Sequence, residues 1–156
     1  MKILIVEDDE NKRIQLSNYL DEVVPDAFLL IERSLQSGVR RIRREQFDLV
    51  ILDMTLPTFD PSSDEPGDDT VIFGGKDFLS QMDRFDITTP VIVFTQFEVF
   101  GRGLNEVDLK DLDQELKKGF PEIYHSVVYY HASIDSWKTS LKAALVGTNC
   151  LRANND

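Results

Sequence analysis

A chain of 156 residues with 42% hydrophobic and 29% charged side chains is sized for one core. No apolar run is long enough to cross a bilayer, and MKILIVEDD turns acidic too soon for a secretory signal. A formal charge of −11 argues against nucleic acid as a partner, since a densely negative duplex recruits Lys and Arg. The single Cys150 excludes an internal disulfide and a cysteine-based metal site. A cytoplasmic location with no membrane contact is expected.

Five short and nearly all-apolar runs punctuate the chain: Ile3 to Val6, Phe28 to Ile31, Leu49 to Leu52, Val91 to Phe94 and Val127 to Tyr130. Runs this continuous predict strands buried on both faces. Between them lie helical patterns. Residues 11 to 24 place Leu16, Leu20 and Val23 at i, i+4 and i+7 before Pro25 stops the segment. Ser34 can cap a second helix that turns Val39 and Ile42 inward, leaving Arg40, Arg41, Arg43 and Arg44 as a solvated face, and that ends near Phe47. Residues 76 to 84 carry Phe78, Leu79 and Met82, and residues 108 to 118 carry Leu109, Leu112 and Leu116. Residues 134 to 146 carry Ile134, Trp137, Leu141 and Leu145, with Gly147 as the expected C-cap.

Five alternations of strand and helix predict an α/β fold, a doubly wound parallel sheet with right-handed crossovers and helices on both faces. One domain over residues 1–147 is expected, with a short tail at 148–156 and no output domain. Two connections, about residues 58–74 and 96–107, are longer than this plan requires. The first holds Asp60, Asp64, Glu65, Asp68 and Asp69 without the spacing of an EF-hand and is expected to be a surface loop, partly disordered. The second holds Phe97, Phe100 and Arg102 and is expected to pack down over the fold.

In such a sheet, ligands sit beyond the carboxyl ends of the strands. There the first strand ends in Glu7-Asp8-Asp9 and the third in Asp53. Asp9 reads as a helix cap, whereas Asp53 follows an apolar strand and faces the pocket. At about 4 Å and an effective dielectric of about 20, each like-charge pair costs on the order of 4 kcal/mol, so the cluster requires a cation. Oxygen-only donors suit Mg²⁺ rather than Zn²⁺. Thr95 adds a hydroxyl at the same edge that can donate to a bound anion. These groups together suggest phosphoryl chemistry.

ILIVEDDENKR, DLVILDMTLP, the Gly75-Lys76-Asp77-Phe78-Leu79 start of the third helix and TPVIVFT, in that order, resemble the receiver domain of two-component response regulators. The resemblance covers residues 1 to 95 closely and the last strand and helix by topology only. It implies a flavodoxin-like sheet in the order 2-1-3-4-5. It also implies Asp53 as phosphoacceptor, Glu7 and Asp8 as holders of Mg²⁺, a backbone carbonyl of Thr55 as a further metal ligand, and Thr95 as the switch hydroxyl. The phosphodonor would be a histidine kinase or phosphotransfer protein. The output would pass through a further protein partner, at the surface of helix 4, strand 5 and helix 5, with a homodimer among the expected assemblies. The domain would signal rather than act as an enzyme.

Three positions depart from the family. It places a lysine at the end of strand 5, where this chain has Tyr130 and His131. The residue after the switch hydroxyl is usually small, and here it is Gln96. The loops after strands 3 and 4 are each longer by about a dozen residues. Glu7, Asp8 and Asp53 contribute −3 and Mg²⁺ contributes +2, so without a lysine the resting pocket keeps −1. Arg102, Lys110, Lys76 or a protonated His131 are the expected replacements. Tyr129, Tyr130 and Trp137, with the long loop after Thr95, are candidates for the output contact, with a core role for Trp137 equally open. The alternative function is a phosphorylation-independent pseudo-receiver, favoured by the missing lysine. An Asp-nucleophile phosphatase is disfavoured, because it needs a second acid where Thr55 stands.

Overall fold

A computed structural model describes residues 1–60, 70–71, 74–96, 99–100 and 107–151. Five parallel strands form the sheet: β1 (Lys2–Val6), β2 (Phe28–Glu32), β3 (Leu49–Leu52), β4 (Val91–Thr95) and β5 (Tyr124–Tyr129), in the order β2-β1-β3-β4-β5. This is the predicted flavodoxin-like arrangement. Five helices connect and follow them: α1 (Glu10–Val23), α2 (Leu35–Arg44), α3 (Gly74–Arg84), α4 (Leu109–Gly119) and α5 (Ser136–Gly147).

Alternation along each strand divides the core in two. Leu4, Val6, Val50, Leu52, Val91 and Val93 face α2, α3 and α4. Ile3, Ile5, Ile51, Ile92, Phe94 and Val128 face α1 and α5. Burial on both faces holds for β1, β3 and β4. It fails at the edge strand β2, where Phe28 is 62% and Ile31 42% exposed, because a sheet edge extends past the helices that cover its middle.

Ser34 caps α2 through a reciprocal pair with Ser37. Val39 and Ile42 turn inward. On the outer face Arg41 pairs with Glu32 and Glu45, and the Arg43 guanidinium lies 3.9 Å from the Phe85 ring centroid. Several boundaries differ from the sequence reading. β5 begins three residues earlier than its apolar run and stops before Tyr130, because a register shift beside Val91 and Ile92 lets Tyr124 and Ser126 pair across His125. Helix α5 runs through Gly147 and is capped at Thr148. Both long connections contain two-residue antiparallel ribbons, Leu56–Pro57 with Thr70–Val71 and Val99–Phe100 with Val107–Asp108. The acids Asp64, Glu65, Asp68 and Asp69, and also Phe97 and Arg102, lie outside the described residues.

Among the described residues no helix is long and apolar enough to cross a membrane.

Candidate functional site

At the carboxyl edge of the sheet, the neighbours β1 and β3 deliver their following residues side by side. Val6 pairs with Leu52, and the Asp53 N–H donates to the Val6 carbonyl at 3.0 Å. Glu7, Asp8 and Asp53 each bring a carboxylate oxygen within 4.8 Å of the others. Asp53 is 3% exposed and Glu7 is equally enclosed, while Asp8 is half-buried. Asp9 stands outside the trio as the N-cap of α1, its carboxylate accepting from the Lys12 N–H at 2.9 Å. That is the role its position predicted.

The turn after Asp53 is held from two sides. Thr55 donates from its N–H to Asp53 Oδ1 at 3.4 Å and from its hydroxyl to Oδ2 at 3.2 Å. Gly75, at the start of α3, donates to the Met54 carbonyl at 2.9 Å. Around the first acids, the Arg13 guanidinium donates to the carbonyls of Asp8 at 2.6 Å and Glu7 at 3.3 Å. Neither the Thr55 side chain nor Arg13 had figured in the sequence reading of the pocket.

A positive charge is present in the pocket, on a residue that was not among the expected substitutes. Lys12, in the first turn of α1, is 1% exposed; its Nζ stands 2.8 Å from Glu7 Oε2 and 3.5 Å from Asp53 Oδ2. It also donates to the Phe94 carbonyl at 3.4 Å and lies over the rings of Phe94 and Tyr130, at 5.5 and 5.9 Å from their centroids. Among the described residues Lys12 is the one buried basic side chain. The Lys12 ammonium is the close polar partner of the buried Glu7 Oε2.

Three of the expected substitutes, Lys76, Lys110 and His131, have other settings. Lys76 is paired with Glu115 at 2.6 Å on the surface, and Lys110 is exposed. His131 is exposed in a turn, its Nδ1 accepting from the Ser133 N–H at 3.2 Å. Arg102 lies outside the described residues. Tyr130 follows β5, tied by its N–H to the Thr95 carbonyl at 2.8 Å. Its ring is buried against Phe94 and Trp137, and its hydroxyl accepts from Asn11 at 3.3 Å. Tyr130 and Trp137 are therefore core residues and cannot form a surface contact for a partner, while Tyr129 is half-buried. Thr95 ends β4 and is fully buried. Leu52 pairs with Val93, so Asp53 and Thr95 follow that pair by one and two residues on adjacent strands. Gln96 is exposed.

Enclosing so many charges perturbs each of them. Burial, and then the charge of Asp53, pushes Glu7 up to about 8 despite the nearby Lys12. Burial raises Asp53 against the opposing pull of Lys12, and burial with the charge of Asp53 raises Asp8. For Lys12 burial works against the charge, but Asp53 and Glu7 outweigh it and hold the ammonium above its ordinary value. Three carboxylate donors gathered within 4.8 Å, all reluctant to ionise together, fit a hard divalent cation.

The protein is 35% identical over 145 residues to the uncharacterised protein y4jR of Sinorhizobium fredii, covering 92% of this chain and 96% of that protein. It is 32% identical over 143 residues to the Detocs response regulatory protein DtcB of Enterobacter cloacae, covering 90% and 95%. Among solved structures, the response regulator TrrA of Thermotoga maritima in complex with Mg²⁺-BeF matches with a TM-score of 0.60 at 17% identity, covering 92% of this chain and 98% of that one. No family model matches the chain. The fold and the acid cluster define a receiver-type domain. The chain belongs to the response regulator receiver family of two-component signalling.

Proposed function

We propose that the protein is a phosphoacceptor of a phosphorelay, taking a phosphoryl group onto Asp53 from a phosphohistidine of a histidine kinase or phosphotransfer protein. The observation that carries this reading is the convergence of Glu7, Asp8 and the buried Asp53 within 4.8 Å. Glu7, Asp8, Asp53 and the Thr55 carbonyl would hold Mg²⁺, which when bound neutralises charge on the transferring group. An Asp53 carboxylate oxygen attacks phosphorus in line and forms the acyl phosphate bond. The phosphorus–nitrogen bond breaks, and its electron pair leaves with the donor imidazole, which is then protonated from solvent. Thr55, donating to Asp53 from both N–H and hydroxyl, orients the nucleophile. Thr95 serves as the switch hydroxyl that turns toward the phosphoryl oxygens.

The output runs through a protein partner, and the domain itself acts in the cytoplasm as a signalling module. The phosphorylation-independent pseudo-receiver draws its support from the absent lysine at the end of strand 5; the ammonium of Lys12 beside Glu7 and Asp53 supports the phosphoacceptor reading against it.

Intact mass after incubation with Mg²⁺ and a small phosphodonor tests the reading. Wild type is expected to gain one phosphoryl group and Asp53→Ala none. Wild type that stays unmodified under conditions that load ordinary receivers overturns the function, and an adduct on Asp53→Ala overturns the site.

A further inference from the structure

We propose that Lys12 supplies, from the first turn of α1, the fixed positive charge that the receiver family takes from a lysine at the end of strand 5, and that it contacts the phosphoryl group on Asp53. This rests on the phosphoacceptor reading of Asp53. The geometry points to it in three ways. First, Lys12 Nζ already touches the acceptor carboxylate, at 3.5 Å from Asp53 Oδ2, and needs no loop movement to reach it. Second, the charge count closes: the three acids give −3, Lys12 gives +1 and a divalent metal +2, so the loaded pocket is neutral before any phosphoryl group arrives. Third, the residue at the end of strand 5 has become part of the holder. The neighbouring rings of Tyr130 and Phe94 both lie near Lys12 Nζ, and Asn11 donates to the Tyr130 hydroxyl.

A purely structural ion pair is the competing account. Burying an ammonium is costly in general, and such pairs often add nothing over an apolar packing of the same volume. A buried lysine that faces both a metal-site acid and Asp53 is therefore poorly explained by stability and well explained by a charge needed in the reaction. When the phosphoryl group is on Asp53, Lys12 would pair with one of its non-bridging oxygens, leaving Glu7 and Asp8 to the metal.

Lys12→Met, which keeps an unbranched side chain of similar length and removes the charge, separates the two accounts. Mg²⁺ binding, followed by the fluorescence of the single tryptophan Trp137, and uptake of beryllofluoride, followed by ¹⁹F NMR, should move in opposite directions. With one positive charge gone, the acids should bind metal about tenfold more tightly, while the beryllofluoride adduct weakens by about tenfold or more. Metal and adduct affinities both unchanged would overturn the role of Lys12 and leave Asp53 standing. Wild type that binds Mg²⁺ and forms no adduct would overturn the phosphoacceptor reading and this role with it. Because Lys12→Met can fail to fold, wild type carries its own measurement: the ¹⁵Nζ resonance of Lys12 should shift on adding Mg²⁺ and beryllofluoride. A resonance that does not move overturns the proposal, whatever the variant does.

Discussion

Glu7 retains its proton in a pH range where an ordinary carboxyl has lost it, because burial and the neighbouring Asp53 both oppose its charge. Its unfolded value of 4.5 rises to about 8 in the fold, so between these values the native state binds more protons than the unfolded one. Stability of the metal-free protein must then fall as pH rises through that window. Asp8 and Asp53, raised from 3.8, act with the same sign. Urea unfolding in EDTA should show a lower midpoint at pH 8 than at pH 6; an equal or higher midpoint at pH 8 would contradict the protonated cluster. The acids themselves were legible in the sequence, since each follows an apolar strand and parallel strands open at one edge. Lys12 was not. The helical stripe was read from Leu16, Leu20 and Val23, yet one turn earlier the same stripe meets Lys12, and Lys12, Leu16, Tyr19 and Leu20 are the buried residues of α1. A lysine on the apolar stripe of a helix that starts beside an acid pair was the available signal.

The approach of α3 to the Asp53 turn depends on an element's first residues being bare. A Cβ on Gly75 would stand 2.6 Å from the Asp53 carbonyl oxygen and 2.8 Å from Met54 Cα, both backbone atoms that cannot swing aside. Gly75→Ala should destabilise the fold by about 1–3 kcal/mol by chemical denaturation. It should also weaken loading of Asp53, because the turn that aims the carboxylate must shift. At the element scale, the central strands and the cores of the helices were legible from period alone. The last strand was misplaced because its opening, Tyr124 to Ser126, mixes polar and aromatic residues and crosses a register shift, so its apolar run begins after pairing has begun. The ribbons inside the two long connections are only two residues long, too short for any periodicity to mark them.

For the molecule as a whole, a parallel sheet with helices on both faces followed from five alternations and the right-handed crossover rule, while the strand order came from the resemblance to receiver domains; both agree with the structure. The source of the pocket's charge was not legible, because the distance between a helix's first turn and the ends of strands far along the chain is a property of packing. A ligand that binds only the folded state raises the unfolding temperature by mass action. Mg²⁺ should therefore raise the melting temperature of wild type, and Asp8→Asn should abolish most of that gain while leaving the metal-free melting temperature at or above the wild-type value, since it removes one of three crowded charges. Equal Mg²⁺ stabilisation of both proteins would remove Asp8 from the metal site.

The ammonium on α1 stands five residues from Glu7 and within one continuous stretch with two of the three clustered acids, Glu7 and Asp8. The far end of the sheet is thereby released from carrying charge. The turn after β5 can change its length or its residues without unbalancing the pocket, provided that an apolar ring still covers Lys12, and this chain has used that freedom to fold Tyr130 into the core and turn His131 to solvent.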